Sequence, residues 1–220
     1  MPQNQIQFFF EGDAYYKQLW DDIENAKHSI LIEMYILAND EIGEKLKILL
    51  IAKADQGLKI RLMIDAIGSS DITPEYINEL KQHHIEVKVF HPLRLFPIFK
   101  STINKRNHRK VIVIDRRVGY LGGFNLSREN SKALFGEKRW RDTQIRLQGH
   151  MVDKLTYYCL RSFKVIRFRS RRQEKFFGNN DILATRNLFG VNPIRKYFHR
   201  YIRRSKNYIY IATAYFVPNL

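Results

Sequence analysis

Apolar positions along the chain follow two spacings. Short runs that alternate or are β-branched throughout mark Ile6–Phe10, Ser29–Ile36, Leu58–Ile67, Ile85–Phe90, Val111–Ile114, Val118–Leu121 and Arg141–Leu147 as strands. Helical spacing takes over between several of them. Tyr16, Leu19, Trp20, Ile23 and Ala26 share a face within Tyr15–Ala26, and Ile42, Leu46, Leu49 and Leu50 share another. Asp40 is placed to cap that second helix and Gly57 to end it. Pro74 suits the first turn of a helix running to about His84, and Val152 opens one reaching about Phe168. Pro92–Asn107 reads as a long loop. Strands alternating with helices predict an α/β layer structure, a central, mostly parallel mixed sheet flanked by helices.

The C-terminal stretch repeats an earlier pattern. PIRKYFHRYIRRSKNYIYIATAYFVP (193–218) resembles YKQLWDDIENAKHSILIEMYI (16–36): an amphipathic helix, a small residue with lysine, then an alternating strand. Ile209 and Ile211 take the places of Ile30 and Ile32, which predicts a second, incomplete repeat from 193 to 220.

Composition adds a partner class. The net charge is +16, from 38 Lys and Arg against 22 Asp and Glu, which suits a polyanion: an anionic membrane surface or nucleic acid. A solvated basic face is the plainer reading. The lone cysteine, Cys159, cannot form an internal disulfide; it sits in an apolar stretch as a small buried hydrophobe, which points to a reducing compartment. No apolar run has the length of a membrane span and the N-terminus lacks signal-peptide features, so contact with a membrane is expected at its surface.

Residues 107–125, NHRKVIVIDRRVGYLGGFN, concentrate the chemistry. His108 and Lys110 are two apart on a strand, so both side chains point to one face. Asp115 ends the strand, where a carboxylate can bond turn amides. Asn125 follows Gly122 and Gly123, which let backbone and side chain approach a ligand closely. An imidazole, an ammonium and an amide converging on one spot suit a phosphoryl group. The imidazole can attack phosphorus or protonate a leaving oxygen, while the others bond its oxygens. Singly, a strand histidine is an ordinary core residue and a glycine pair an ordinary turn. The whole spacing, His-x-Lys-x4-Asp-x6-Gly-Gly-x-Asn, makes this a candidate site.

These residues resemble the HKD signature of the phospholipase D superfamily, with its spacing intact. EMYILANDEIG (33–43), the strand ending in Asp65 with Gly68-Ser69, WRDTQIRLQG (140–149) and ATAYFVP (212–218) are similar to bacterial cardiolipin synthases, so the resemblance covers essentially the whole chain. It implies a phospholipase D-like fold and a two-step phosphatidyl transfer. One HKD histidine attacks the phosphodiester of phosphatidylglycerol and becomes phosphatidyl-histidine, and another protonates the departing alcohol. The headgroup of a second phosphatidylglycerol then resolves the intermediate, giving cardiolipin and glycerol, with no metal and no cofactor. By position, the resemblance makes His108, Lys110, Asp115, Asn125 and Asp142 the catalytic set. In it His108 is the nucleophile, Lys110 and Asn125 hold phosphate oxygens, and Asp142 orients the imidazole. Asp115 also reads as a brace for the turn. Gly122, Gly123 and Glu33 would line the phosphate subsite, with a buried structural acid the alternative for Glu33.

Two stretches fit contact with anionic phospholipids. LRLFPIFK (93–100) sets Leu95, Phe96 and Phe99 beside cations, with packing beneath the loop the alternative, and RSFKVIRFRSRRQEK (161–175) includes Arg169, Arg171 and Arg172. The second could equally track the phosphates of nucleic acid, the less favoured partner. The implied location is peripheral, on the cytoplasmic face of a bacterial cell membrane.

The departure is a missing second motif: His28, His83, His84, His91, His150 and His199 all lack the spacing. The expected organisation is a phospholipase D-like domain over 1–168, a basic linker over 169–192 and an incomplete repeat over 193–220. That favours a truncated first half of a synthase, with two copies pairing to complete one site, a homodimeric single-motif nuclease or phosphodiesterase, or an inactive membrane-binding remnant as alternatives.

Overall fold

The computed structural model describes residues 4–91, 106–163 and 193–211, with backbone alone at 193–196. The chain divides into two compact units, 1–171 and 172–220. Seven strands form the sheet of the first: β1 (Gln5–Phe9), β2 (Ser29–Met34), β3 (Lys59–Asp65), β4 (Glu86–Phe90), β5 (Val111–Ile114), β6 (Val118–Gly122) and β7 (Gln144–Gln148). Their order is β1-β7-β6-β5-β2-β3-β4. The helices are α1 (Gly12–Glu24), α2 (Glu41–Asp55), α3 (Pro74–Gln82), α4 (Lys132–Phe135) and α5 (Met151–Ser162), with α6 (Pro193–Arg204) in the second unit.

The sheet is mixed, but the expectation that it is mostly parallel is corrected. Only β2–β3 and β3–β4 pair in parallel; β1–β7, β7–β6, β6–β5 and β5–β2 are antiparallel. The reason is the connections. Crossovers through α2 and α3 return the chain to the same end and give parallel neighbours, whereas the tight β5–β6 turn can only give antiparallel ones.

Ile30, Ile32, Ile60, Leu62, Ile64, Ile112 and Ile114 face Tyr15, Leu19, Ile23, Leu46, Leu50 and Leu80 from α1–α3 in one apolar core. On the other face α5 lies across β2, β5, β6 and β7, burying Val152, Leu155 and Cys159. Gly119 permits that approach, because a Cβ there would lie 2.8 Å from the Leu155 side chain. The predicted Asp40 cap forms, and Thr73 caps the helix that Pro74 opens. The Asp40 carboxylate accepts from the Ile42 and Gly43 amides, and the Thr73 hydroxyl accepts from the Tyr76 amide ahead of Pro74.

Other expectations shift. β7 starts at Gln144, and the turns of Arg128–Asn130, α4 and Gly136–Lys138 have no counterpart in the apolar pattern. Ser131, which accepts from the Leu134 amide, is the capping signal that marks α4. In the second unit α6 forms, but residues 207–211 are irregular where Ile209 and Ile211 predicted a strand. No strand pairs with them among the described residues, and a strand without a partner leaves its backbone groups unbonded. The rest of that strand, the basic linker, and the membrane-contact candidates Leu95, Phe96, Phe99, Arg169, Arg171 and Arg172 lie outside the described residues. No helix among the described residues is long and apolar enough to cross a membrane.

Candidate active site

Topology gathers the site at one edge of the sheet. The parallel strands β2 and β3 end there, just before Tyr35 and at Asp65. The antiparallel β5 begins there, after His108 and Lys110, and β6 ends there, before Gly123 and Asn125; β7 starts there, after Asp142. Chain ends on one side of a sheet are where ligand groups collect in open α/β layers.

His108 reaches solvent and Lys110 is buried beneath it, 5% exposed. Lys110 Nζ lies 3.4 Å from His108 Nδ1 and donates to the His108 carbonyl at 3.4 Å. Tyr35 completes the group: its ring centroid is 4.1 Å from that of His108, and Lys110 Nζ stands 5.2 Å from the Tyr35 centroid. Sequence reasoning missed Tyr35 as a site residue. Its signal was its place at the C-terminal end of a parallel strand.

Burial first, then the Lys110 ammonium, push the His108 pKa below the ordinary histidine value, against the opposing pull of Asp65. The ring is therefore neutral near pH 7, with a lone pair free. Burial also lowers the Lys110 pKa, opposed by the Asp142 carboxylate. A neutral imidazole over a buried ammonium offers a nucleophile and a fixed positive charge side by side.

Asn125, 6% exposed, is fastened on three sides. Its Oδ1 accepts from the Ile36 amide at 3.3 Å, its amide donates to Asn130 Oδ1 at 3.1 Å, and its carbonyl accepts from Tyr16 at 2.9 Å. Gly123 lets the Asp142 carboxylate close in, since a Cβ there would lie 2.0 Å from it, and Gly122 packs against Thr143 and Gln144 in the same way. These glycines shape the site by close packing. Asp142 bonds the Thr143 amide at 2.7 Å and acts on Lys110 through its charge; no hydrogen bond joins it to His108 among the described residues.

Two candidates fall elsewhere. Asp115 closes the far end of β5, seven residues from His108, which is about 23 Å of extended chain. Its carboxylate accepts from the amides of Lys27, His28 and Ser29 at 2.7, 2.7 and 2.8 Å. It braces a turn and is too distant to act on a group held by His108. Glu33 sits opposite Val111 in the β2–β5 ladder, so it shares the α5 face with Asn107 and Arg109. Strand alternation puts it behind the sheet from His108 and Lys110, which removes it from the phosphate subsite. Among the described residues no cluster of His, Cys, Asp or Glu is placed to hold a metal.

The cardiolipin synthase of Geobacillus sp. (strain WCH70) is 33% identical over 94% of this chain and 43% of its own length. Cardiolipin synthase 2 of Bacillus anthracis is 31% identical over 99% of this chain and 44% of its own. The chain thus spans less than half the length of the curated relatives it matches. Among solved structures, the phospholipase D family member Nuc from Salmonella typhimurium superposes with a TM-score of 0.53 at 16% identity, covering 76% of this chain and all of that one. That likeness concerns the fold alone. The family model "Cardiolipin synthase, PLD-like domain" matches residues 19–137, more than half of the chain, with His108, Lys110, Asn125 and the β5–β6 hairpin inside it. The chain belongs to the family of phospholipase D-like domains that this model describes.

Proposed function

We propose that this edge is the nucleophilic half of a phosphatidyltransferase site of the cardiolipin synthase kind. The observation that carries the reading is the solvent-facing imidazole of His108 set 3.4 Å from a buried ammonium. A nitrogen of neutral His108 attacks the phosphorus of phosphatidylglycerol. The phosphorus–oxygen bond to glycerol breaks, and the departing oxygen takes a proton from an acid supplied by a second motif, in a longer chain or a second copy. An acceptor hydroxyl, that of another phosphatidylglycerol, then displaces the imidazole and yields its own proton to the same group. Lys110 and the side-chain amide of Asn125 bond the phosphoryl oxygens as charge builds. Anionic phospholipid is the partner, met at the cytoplasmic face of a bacterial membrane, and the net charge of +16 supports that placement.

The test is a product assay with phosphatidylglycerol vesicles, with and without chelator, beside His108→Ala. Cardiolipin and glycerol formed by the chain, or by the chain supplied with a second motif, and lost in His108→Ala support the reading. Cleavage of DNA without phospholipid turnover overturns it in favour of a nuclease.

A further inference from the structure

His108 and Lys110 precede β5, and ladder pairing begins only at Val111. Residues 106–110 therefore have no ladder partners to fix which way their side chains point. The odd-numbered residues between them fill that role. The Asn107 amide donates to Asp65 Oδ2 at 3.0 Å, and Asn107 Nδ2 donates to Glu33 Oε2 at 3.3 Å. A guanidinium nitrogen of Arg109 lies 3.5 Å from the same Glu33 oxygen and donates to the Ser162 hydroxyl of α5 at 2.8 Å. The Arg109 amide donates back to Asn107 Oδ1 at 3.4 Å. Glu33 is 1% exposed and Asp65 fully buried.

A buried carboxylate in the middle of an apolar strand is an expensive choice for stability alone, since well-packed apolar side chains usually serve as well. Its position supplies a use. We propose that Glu33 is a positioning residue: with Asp65 it clamps Asn107 and Arg109 behind the sheet, and so presents His108 and Lys110 at the reacting edge. The inference rests on His108 being the reacting group of the proposed transfer. Asn107 and Arg109 alternate with His108 and Lys110, so pinning the first pair on one face fixes the second pair on the other. The groups that act on His108 are Lys110 from its own segment and Tyr35 from the end of β2, both beside it, and Asp65 from the end of β3 through its charge; Asp142 reaches it through Lys110. None of these is removed by a change at Glu33.

The experiment follows the histidine ring resonances of the full chain by NMR across pH, with His108 assigned by its loss in His108→Ala. In Glu33→Ala the His108 titration rises toward the ordinary histidine value and its signals broaden. The ring resonance of His83, which bonds Asp55 at 2.7 Å on another part of the unit, keeps its wild-type chemical shift and so reports that the chain is folded. Glu33→Gln retains an acceptor for Asn107 and Arg109 and restores a sharp His108 signal. A folded Glu33→Ala chain with wild-type His108 titration overturns the proposal. Where the His83 signal is also lost, Arg109→Ala, at a side chain 35% exposed, carries the same expectation and the same overturning result. The phosphatidylglycerol assay with His108→Ala decides the reaction separately, so failure of the transfer reading and failure of the clamp are told apart.

Discussion

At the scale of single residues, the His108–Lys110 pair makes the chemistry depend on pH in a stated direction. In the proposed transfer His108 must be neutral to attack, and its pKa is held below the ordinary value of about 6.5 by burial and by Lys110. Lys110 must be charged, and burial lowers its pKa below the ordinary value of about 10.4. The pH profile of kcat/KM for phosphatidylglycerol turnover is thus a bell with its acid limb below about 6.5 and its alkaline limb below about 10.4, each belonging to the coupled pair. Lys110→Met removes the charge that disfavours imidazolium, so the acid limb moves up, and the loss of one oxyanion partner lowers kcat by about 10²–10³. Asp142→Asn removes the charge that supports the ammonium, so the alkaline limb falls to lower pH. Profiles of the two variants that move in the same direction would contradict this assignment.

At the scale of the element, the β5–β6 hairpin separates bracing from chemistry. The Arg117 amide donates to the Ile114 carbonyl at 3.0 Å, and both central residues lie at positive φ, Asp115 at 53° and Arg116 at 55°, the sign a type I′ turn requires. Burial raises the Asp115 pKa, but the three amides of Ser29, Lys27 and His28 outweigh it and hold the group below the ordinary aspartate value. The stability this contributes is present above that ordinary value and is lost as pH falls through the lowered one. Asp115→Ala orphans three amides and costs about 2–3 kcal/mol in denaturant unfolding at pH 7, while the His108 titration stays in place. Arg116→Gly gives the turn its preferred Asp-Gly pair and stabilises by about 0.5–1 kcal/mol, because its ion pair with Asp153 at 3.9 Å is solvent-exposed. The hairpin was legible in sequence because Val111–Ile114 and Val118–Leu121 are apolar runs divided by charged residues. The His-x-Lys spacing was legible because alternation alone puts both on one face. The direction of β5 against β2 was not, since pairing sense depends on connections that a local pattern does not encode. The partners of Glu33 were hidden for the same reason: it is 74 residues from Asn107 and 76 from Arg109, and meets them only through the β2–β5 register.

At the scale of the whole molecule, charge is unevenly shared between the two units. Residues 172–220 contain nine Lys and Arg against two Asp and Glu, so 49 residues carry +7 of the total of +16. The first unit keeps the apolar core, whose buried members run from Phe9 to Leu126, and all of the candidate site. Folding and the His108 environment therefore belong to one unit, whereas attraction to an anionic surface is spread over both. Each Lys or Arg near such a surface contributes about 1 kcal/mol, and that attraction is screened within about 10 Å at 0.1 M salt. A chain ending at Arg171 is expected to unfold cooperatively with a midpoint within a few degrees of the full chain and to keep its His108 titration. Its binding to vesicles rich in phosphatidylglycerol, measured by co-sedimentation at low salt, is expected to be at least 10-fold weaker, with the gap narrowing as salt is raised. Equal binding by the two chains at low salt would place the membrane-attracting charge in the first unit, and would make the basic second unit irrelevant to how the site meets its lipid.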